Sequence, residues 1–362
     1  DTIYLRYGEE KGLEESLDIP LVTYPDSIDV SERGSYRIPC SLLGMIPLKA
    51  VQAEIVEDQW VYVSGTPVGL YMETQGILIV DTGEITNEKG IIEEPAANIV
   101  QPGDYILEIN GKGISRKKEL ISEIEKCGGE EVELLVNRKG EEIPISLEPV
   151  FTQDEEYKLG IWVRDNTQGI GTLTYIDQEG KFGALGHGIS DTDTGELLDV
   201  SGGELYQAQI ISIIRGKQGT PGELSGYIEY EEDKKIGTIE KNTDIGIFGK
   251  LFSGMEPLGE KVKIGYKQEV KEGKAQILME LEGEPEYYDI EITEIYGSQQ
   301  DPNKSFQILV TDPALLAKTG GIVQGMSGSP ILQDGKLIGA VTHVFVQDAA
   351  KGYGIFIENM LG

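Results

Sequence analysis

Residues 325–346 read GMSGSPILQDGKLIGAVTHVFV, a serine between two glycines followed by two apolar runs around the turn at residues 334–335. This pattern predicts a serine turn that opens a β-hairpin. Glycine on both sides of Ser327 permits a backbone that aims the amides of Gly325 and Ser327 at one point, where an oxyanion could be held. The stretch therefore predicts a serine nucleophile with an oxyanion hole, and an ordinary glycine-serine turn is the alternative.

A serine nucleophile needs a general base near neutral pH, and the chain has only two histidines. His187 ends an apolar segment between two glycines, far enough before Ser327 for base and nucleophile to come from different β-barrels. His343 lies beside Thr342 in the hairpin strand after the serine. The spacing predicts His187 as the base and Thr342 and His343 as substrate-binding residues, with a partly buried strand histidine as the alternative for His343.

Three separated segments carry a family resemblance. Residues 182–191 (FGALGHGISD), 311–330 (TDPALLAKTGGIVQGMSGSP) and 338–346 (IGAVTHVFV) resemble the stage IV sporulation protein B peptidases of spore-forming Gram-positive bacteria, in order and in wording. This family looks like the chymotrypsin-like serine peptidases. The resemblance covers most of residues 65–362 and implies a serine endopeptidase with His187 as base and Ser327 as nucleophile.

The aspartate that would orient the His187 imidazole is open between two positions. The family pattern points to Asp312, which follows a strand-like segment, and this is the residue we predict. The usual order of chymotrypsin-like enzymes points instead to Asp244, at the head of an apolar strand. Asp191 and Asp193 are closer to His187 in sequence, but we expect them in a solvated turn.

Two positions depart from the trypsin-like pattern. Met326 stands where zymogen-activated relatives carry an aspartate that pairs with a new amino terminus, so we do not expect that mode of activation. Ser329 replaces a glycine. Alternation along an extended chain would place its hydroxyl on the same face as that of Ser327.

A second unit precedes the peptidase. It has an apolar strand at 76–80, the segment PGDYILEING at 102–111, a helix-like stretch at 115–126, and two strands around the turn at 137–140. This order is similar to that of a bacterial PDZ domain. Such a domain adds an extended peptide to its sheet edge, while the amides of a short loop receive the peptide's carboxylate. We predict that loop at Val68, Gly69 and Leu70, and a structural unit without a ligand is the alternative.

The predicted architecture is therefore mainly β: an N-terminal segment at 1–64, an α+β PDZ domain at 65–150, and a chymotrypsin-like double β-barrel peptidase domain at 151–362. A length of 362 residues with 47 glycines fits several β-rich cores.

Charge and composition limit the partners. The chain has 63 acidic and 31 basic residues, a formal net charge of −32, which disfavours binding to nucleic acid. Cys40 and Cys127 form no Cys-x-x-Cys motif, so the sequence indicates neither a zinc site nor a redox pair. It leaves undecided whether the two cysteines form a single disulfide. The two histidines and scattered carboxylates show no metal-ligand spacing. We predict no metal and no cofactor, and as partners a protein or peptide substrate, including the chain itself, and a PDZ peptide ligand.

The family resemblance implies a cellular role. No stretch of this chain approaches ~18 apolar residues, but the resemblance implies a precursor with an N-terminal membrane segment, acting extracytoplasmically in the forespore intermembrane space. It further implies cleavage of the chain itself and of a regulator of a membrane metalloprotease, which leads to sigma-factor precursor processing. The alternatives are a non-catalytic PDZ peptide-binding scaffold and a general PDZ-linked quality-control serine protease.

Overall fold

The computed structural model describes residues 2–6, 22–23, 35–43, 45–48, 50–254, 259–296 and 301–361. Within these ranges the chain is mainly β-strand, and no helix is long and apolar enough to cross a membrane. The α-helices are Lys117–Cys127, Pro313–Thr319 and Ile357–Met360, and the 3-10 helices are Glu232–Lys234, Lys267–Glu269 and Pro302–Lys304.

Six antiparallel strands close into a first β-barrel, because the last strand of the ring pairs again with the first. Closure leaves no long unpaired edge. Alternate side chains point inward, so the apolar residues of the strands form one buried cluster, with Val68, Met72 and Leu173 fully shielded from water. In ring order the strands are Pro67–Thr82, Val200–Ile214, Lys235–Thr243, Gly246–Leu251, Lys181–Ala184 and Ile161–Ile176.

A second ring of six antiparallel strands follows in the C-terminal part of the chain. Its core contains Phe306, Ile331 and Met326, all shielded from solvent. Two six-stranded barrels confirm the predicted chymotrypsin-like double barrel. In ring order the strands are Gly273–Glu280, Pro285–Ile295, Phe306–Val310, Asp348–Phe356, Lys336–Phe345 and Pro330–Gln333.

The predicted PDZ unit has its own hydrophobic core, which runs from Ile77 to Val163. Its helix Lys117–Cys127 begins where the Glu119 carboxylate accepts the amides of Ser115 and Arg116, and it ends at a glycine in the left-handed region. The mixed α+β character is therefore as predicted. The strands confined to this unit are Ile85–Thr86, Ile92–Glu93, Tyr105–Ile109, Lys112–Gly113, Val132–Arg138, Glu141–Leu147, Val150–Phe151 and Tyr157–Lys158.

The two units share two strands of 16 residues each, Pro67–Thr82 and Ile161–Ile176. The first half of one strand and the second half of the other lie in the first barrel, while their remaining halves pack into the PDZ core. The PDZ unit is therefore inserted between two barrel strands. The predicted limits at residues 65 and 150 lie outside both strands, so they assign the first strand wholly to the PDZ unit and the second wholly to the peptidase domain, and they stay a prediction.

The N-terminal segment joins the barrels at its end. Trp60–Val63 pairs with the first barrel through Ile161–Ile176 and also with Glu260–Ile264, which lies parallel to the start of Lys336–Phe345 in the second barrel. The other strands are Thr2–Arg6, Val22–Thr23, Ser35–Ile38, Ser41–Leu42, Ile46–Pro47, Val51–Val56 and Glu223–Ile228.

Candidate active site

The loop that carries Ser327 is held tightly at both ends. Met326, just before the serine, is fully buried in the core of the second barrel. Gly325 and Gly328 have φ values of 95° and 93°, which side chains rarely adopt. A Cβ at Gly328 would lie 2.3 Å from the Thr172 carbonyl oxygen. The glycines around the serine are thus required by backbone conformation and by a close approach of the first barrel.

The two serines of the loop have different environments. Ser327 is partly exposed, and its hydroxyl donates to the Thr342 carbonyl oxygen at 2.9 Å. Ser329 is completely buried, and its Oγ has no hydrogen-bond partner among the described residues. The expectation that both hydroxyls share one face is wrong, because the turn at Gly328 interrupts the alternation of an extended chain. Only Ser327 is open to a substrate.

The amides of Gly325 and Ser327 are oriented through the carbonyls of the preceding residues. The Gln324 oxygen accepts from the Leu224 amide at 2.8 Å, and the Met326 oxygen accepts from the Ser329 amide at 3.0 Å. In a planar trans peptide the N–H points opposite to the C=O. Neither amide donates a hydrogen bond within the part of the chain that the structure describes. Both are therefore free to donate to an incoming oxyanion, and their role as an oxyanion hole stays a prediction.

His187 follows the barrel strand Lys181–Ala184 and is surrounded closely by backbone. A Cβ at Gly188 would lie 2.5 Å from the Thr243 carbonyl oxygen, and one at Gly186 would lie 3.1 Å from the Thr342 side chain. The Gly-His-Gly pattern thus has a steric cause. It also places the histidine of the first barrel against a strand of the second.

The hydrogen bonding of His187 determines its tautomer. Nδ1 lies 2.8 Å from the Gly188 carbonyl oxygen, which only accepts, so the ring hydrogen is on Nδ1. Nε2 of the neutral ring then carries the lone pair that a general base needs. Burial lowers the pKa of His187, and the bond to the Gly188 carbonyl opposes this shift. The imidazole is therefore neutral at neutral pH.

Each of the two predicted substrate-binding residues contacts either the proposed base or the proposed nucleophile. The rings of His187 and His343 are 5.2 Å apart, while the carbonyl of Thr342 accepts the Ser327 hydroxyl. Thr342 itself is buried, and its hydroxyl donates to the Asn303 carbonyl oxygen at 2.6 Å. The structure thus gathers His187, Ser327 and the Thr342–His343 dipeptide in one place, although no hydrogen bond among the described residues joins His187 to Ser327.

Asp312 lies in a different setting from that expected of a triad acid. One carboxylate oxygen accepts the amides of Ala314 and Leu315, at 2.8 and 3.0 Å, at the start of the helix Pro313–Thr319. The other accepts the Asp289 amide at 3.3 Å. No described hydrogen bond or ion pair joins Asp312 to His187. Asp312 is a helix cap here, and its role as triad acid stays a prediction without support from this geometry.

The other acidic residues near the histidines also differ from the predictions. The described contact of Asp244 is made by its backbone carbonyl, which accepts from the Asn303 side chain. Asp191 is buried and ion-paired with Arg164, so it is not in a solvated turn. Asp301 is the carboxylate whose charge acts on His343, and it is not among the predicted site residues, although it precedes a proline as Asp312 does.

Asp301 acts on His343. Burial lowers the pKa of His343, and interaction with His187 and Lys304 lowers it further. The negative charge of Asp301 raises it. The Asp301 carboxylate is itself bonded to the Lys304 ammonium at 2.7 Å. The pair of rings is thus biased toward the neutral state.

The predicted carboxylate loop of the PDZ unit is wrong in position. Val68, Gly69 and Leu70 lie inside a barrel strand that pairs with a neighbour on each side, and both apolar side chains are buried. Their amides face other strands, so the segment cannot receive a peptide end.

The same apolar-glycine-apolar pattern recurs at residues 159–161. From this pattern a different position for the carboxylate loop could have been predicted. Gly160 has a φ of 67° and begins the strand segment Ile161–Arg164. One edge of that segment pairs with residues 78–82, and among the described strands none pairs with its opposite edge. The helix Lys117–Cys127 begins beside it, where the Lys117 amide donates to Asp165 at 2.8 Å.

Cys40 and Cys127 are both free thiols, so the disulfide left open by the sequence is not formed. Among the described residues no group of three or more histidine, cysteine or carboxylate side chains is arranged to hold a metal ion.

Comparison with known proteins agrees with this geometry. The family model described as SpoIVB peptidase S55 matches residues 155–361, more than half of the chain. No curated protein matches the chain in sequence.

Three solved structures are similar to parts of the chain. The Rv3671c protease from M. tuberculosis in its active form has a TM-score of 0.33 at 15% identity, covering 54% of this chain and 73% of its own. The PDZ domain of an SdrC-like protein from Listeria monocytogenes has a TM-score of 0.20 at 20% identity and covers 25% and 87%. An HtrA-type protease, AlgW with a decapeptide, has a TM-score of 0.33 at 11% identity and covers 82% and 61%. Because the family model matches residues 155–361, more than half of the chain, the chain belongs to the SpoIVB peptidase S55 family and is a serine endopeptidase.

Proposed function

We propose that Ser327 is the nucleophile and His187 the general base of this endopeptidase. The observation that carries the proposal is that both residues, one from each barrel, contact the same dipeptide, Thr342–His343. In the reaction the Ser327 hydroxyl leaves the Thr342 carbonyl and gives its proton to Nε2 of His187 while Oγ attacks the peptide carbonyl. Amides of Gly325 and Ser327 hold the oxyanion. His187 then protonates the leaving amine, and water hydrolyses the acyl-enzyme.

The strand edge at Thr342–His343 is the proposed binding site for the substrate backbone. The Thr342 carbonyl already accepts a hydrogen bond beside the nucleophile, and the His343 ring is exposed next to the base. A substrate strand laid along this edge would bring its scissile carbonyl to Ser327. The acidic surface of the chain favours substrates with basic segments.

The proposed peptide ligand of the PDZ unit binds at Ile161–Arg164 rather than at Val68–Leu70. The free strand edge, the adjacent helix and the left-handed Gly160 together form the features that peptide addition needs. A peptide held there would add a strand beside residues 161–164. This ligand is a protein segment that the enzyme tethers or cleaves.

The biological role we propose is a signalling cut during sporulation, outside the cytoplasm. Family membership supports this role. The enzyme, made from a precursor with an N-terminal membrane segment, would cleave itself and then a regulator of a membrane metalloprotease, which allows a sigma-factor precursor to be processed. A general quality-control protease would cleave many unfolded proteins, whereas this role requires one or a few defined sites.

The nucleophile assignment is tested with a serine-directed fluorophosphonate. We expect wild type to be labelled, Ser327→Ala to be unlabelled, and His187→Ala to be labelled at least about 100-fold more slowly. Ser329→Ala is the matched control, because it removes a buried hydroxyl without a described partner two residues away, and it should label normally. Labelling that survives Ser327→Ala would refute the assignment, and an unlabelled wild type would favour the scaffold alternative.

The sporulation role is tested in a spore-forming host whose own family member has been deleted. Wild-type chain fused to a membrane segment should restore sigma-factor precursor processing, and the Ser327→Ala variant should not. Equal restoration by both proteins would contradict a proteolytic role. Terminal sequencing of the purified wild type and of Ser327→Ala would show whether the chain cuts itself.

A further inference from the structure

The nucleophile loop is bonded to the first barrel through its backbone carbonyls. The Thr172 hydroxyl donates to the Gly325 carbonyl oxygen at 2.9 Å, and the Thr174 hydroxyl donates to the Gly328 carbonyl oxygen at 2.7 Å. Between them, the Thr172 amide donates to the Ser327 carbonyl oxygen at 3.2 Å. One strand of the first barrel therefore bonds three carbonyls that surround the nucleophile of the second.

These contacts are shielded from water. Thr172 is 3% exposed and Thr174 is 0% exposed, so each hydroxyl has left water for one carbonyl oxygen. A buried polar group without a partner is unfavourable, which makes the two bonds directional constraints and not incidental contacts. Both hydroxyls reach the same loop, so the two side chains lie on the same face of the strand.

The constraint acts on the oxyanion hole. Along the backbone, the Gly325 carbonyl comes directly after the Gly325 amide. The Ser327 carbonyl comes directly after the Ser327 amide, and the Gly328 carbonyl comes one residue later. Both glycines have positive φ, in a region where glycine changes conformation at little cost. The bonded carbonyls share their peptide planes with the amides of Met326, Gly328 and Ser329, so the threonines act on the amides of Gly325 and Ser327 through the backbone dihedral angles of the loop. They add to the bonds that the Gln324 and Met326 carbonyls accept.

We infer that Thr172 and Thr174 are positioning residues of the oxyanion hole, and that their hydroxyls hold the nucleophile loop in the conformation that leaves the amides of Gly325 and Ser327 free. Neither threonine touches the substrate. Their effect is on the stabilisation of the transition state, since the amides act on the oxyanion and not on the ground-state peptide. The inference rests on the proposed nucleophile Ser327.

The test measures saturation kinetics of fluorophosphonate labelling, which separates the maximal rate kinact from the binding constant KI. Thr172→Val keeps the branched shape and removes the hydroxyl, and Thr172→Ser keeps the hydroxyl. Since loss of a whole oxyanion donor costs about 100- to 1000-fold, we expect Thr172→Val to lower kinact about 10-fold. KI should change less than about twofold, and Thr172→Ser should recover most of the rate.

Thr152→Val is the matched control. The Thr152 hydroxyl is also buried and also donates to a backbone carbonyl, that of Glu156 at 3.1 Å, but within the PDZ unit. It should match Thr172→Val in thermal stability and retain the wild-type kinact. Thr174→Val provides a second, independent loss of rate if Thr172→Val does not fold.

Three outcomes overturn the inference. A wild-type kinact in both valine variants shows that the hydroxyls do not position the loop. An equal loss of kinact in Thr152→Val shows that the effect is general destabilisation. Failure of Thr172→Ser to recover the rate shows that the hydroxyl is not the group responsible. If Ser327→Ala is unlabelled in any of these cases, the proposed nucleophile stands and only the positioning role fails.

Discussion

Replacement of Asp312 distinguishes between two roles of its carboxylate, that of a helix cap and that of a catalytic acid. The Asp312 carboxylate accepts hydrogen bonds from the Ala314 and Leu315 amides in the first turn of the helix Pro313–Thr319. It also accepts a longer one from the Asp289 amide. Asn or Ser at this position would keep a cap, whereas Ala would remove it. From this geometry we expect Asp312→Asn to label with fluorophosphonate at close to the wild-type rate.

The expected magnitudes follow from the contacts. Loss of an N-cap costs about 1 kcal/mol, within a range of about 0.5 to 2, and loss of a negative charge at a helix start costs about 0.3 to 1 kcal/mol. Asp312→Ala should therefore lower the free energy of unfolding by about 1 to 3 kcal/mol, and Asp312→Asn by less than about 1. A triad acid replaced by asparagine would instead reduce the rate about 10⁴-fold.

The assay combines labelling rate with thermal unfolding in the same samples. Asp177→Asn is a matched control, because the Asp177 carboxylate also accepts two backbone amides, each at 2.8 Å, in a turn before His187. We expect Asp312→Asn and Asp177→Asn to behave alike in both measurements.

One result would refute the reasoning. If Asp312→Asn unfolds at the wild-type temperature but labels a thousandfold or more slowly, its carboxylate acts in the chemistry. The catalytic conformation would then differ from the one described here by a movement of the helix start toward His187.

Three further predictions concern the histidines and their surroundings. Because burial lowers the pKa of His187, labelling should be constant above pH 6.5 and fall as the pH drops through that lowered pKa. Stability should begin to fall below pH 6.5, the ordinary pKa of a histidine, and level off below the lowered pKa, because the unfolded state binds the proton more readily; a labelling rate that falls already above pH 7 would contradict the lowered pKa. Gly188→Ala should lower labelling at least tenfold, since its Cβ would lie 2.5 Å from the Thr243 backbone oxygen; a wild-type rate would show that the His187 turn adapts. His343→Ala should change cleavage-site preference on a peptide library more than it changes fluorophosphonate labelling, and unchanged preference would remove His343 from the substrate site.

Local sequence patterns predicted the elements that depend on local chemistry. The glycines around Ser327 and His187 mark backbone conformations and close approaches that only glycine tolerates, so both residues could be selected from the chain alone. Family segments correctly predicted two barrels. The PDZ helix was also predictable, because its capping Glu119 and terminal Gly128 act within one turn of the helix ends.

The errors occurred where a local pattern has two possible tertiary settings. An apolar-glycine-apolar step occurs at residues 68–70 and again at 159–161, and only strand pairing shows that the first lies inside a barrel. The sequence could not reveal that two long strands run through both units either. Continuity of a strand depends on partners supplied from distant parts of the chain.

The sequence by itself determined the nucleophile candidate, the base candidate, the two-barrel architecture and the presence of a PDZ unit. Only the tertiary structure decided which side chains surround Ser327. It placed Asp312 at a helix start, brought Asp301 to the His343 side, and bonded Thr172 and Thr174 to the nucleophile loop. The contacts of Thr172 and Thr174 join residues 153 and 154 positions apart in two different barrels, and no local periodicity encodes such a distance.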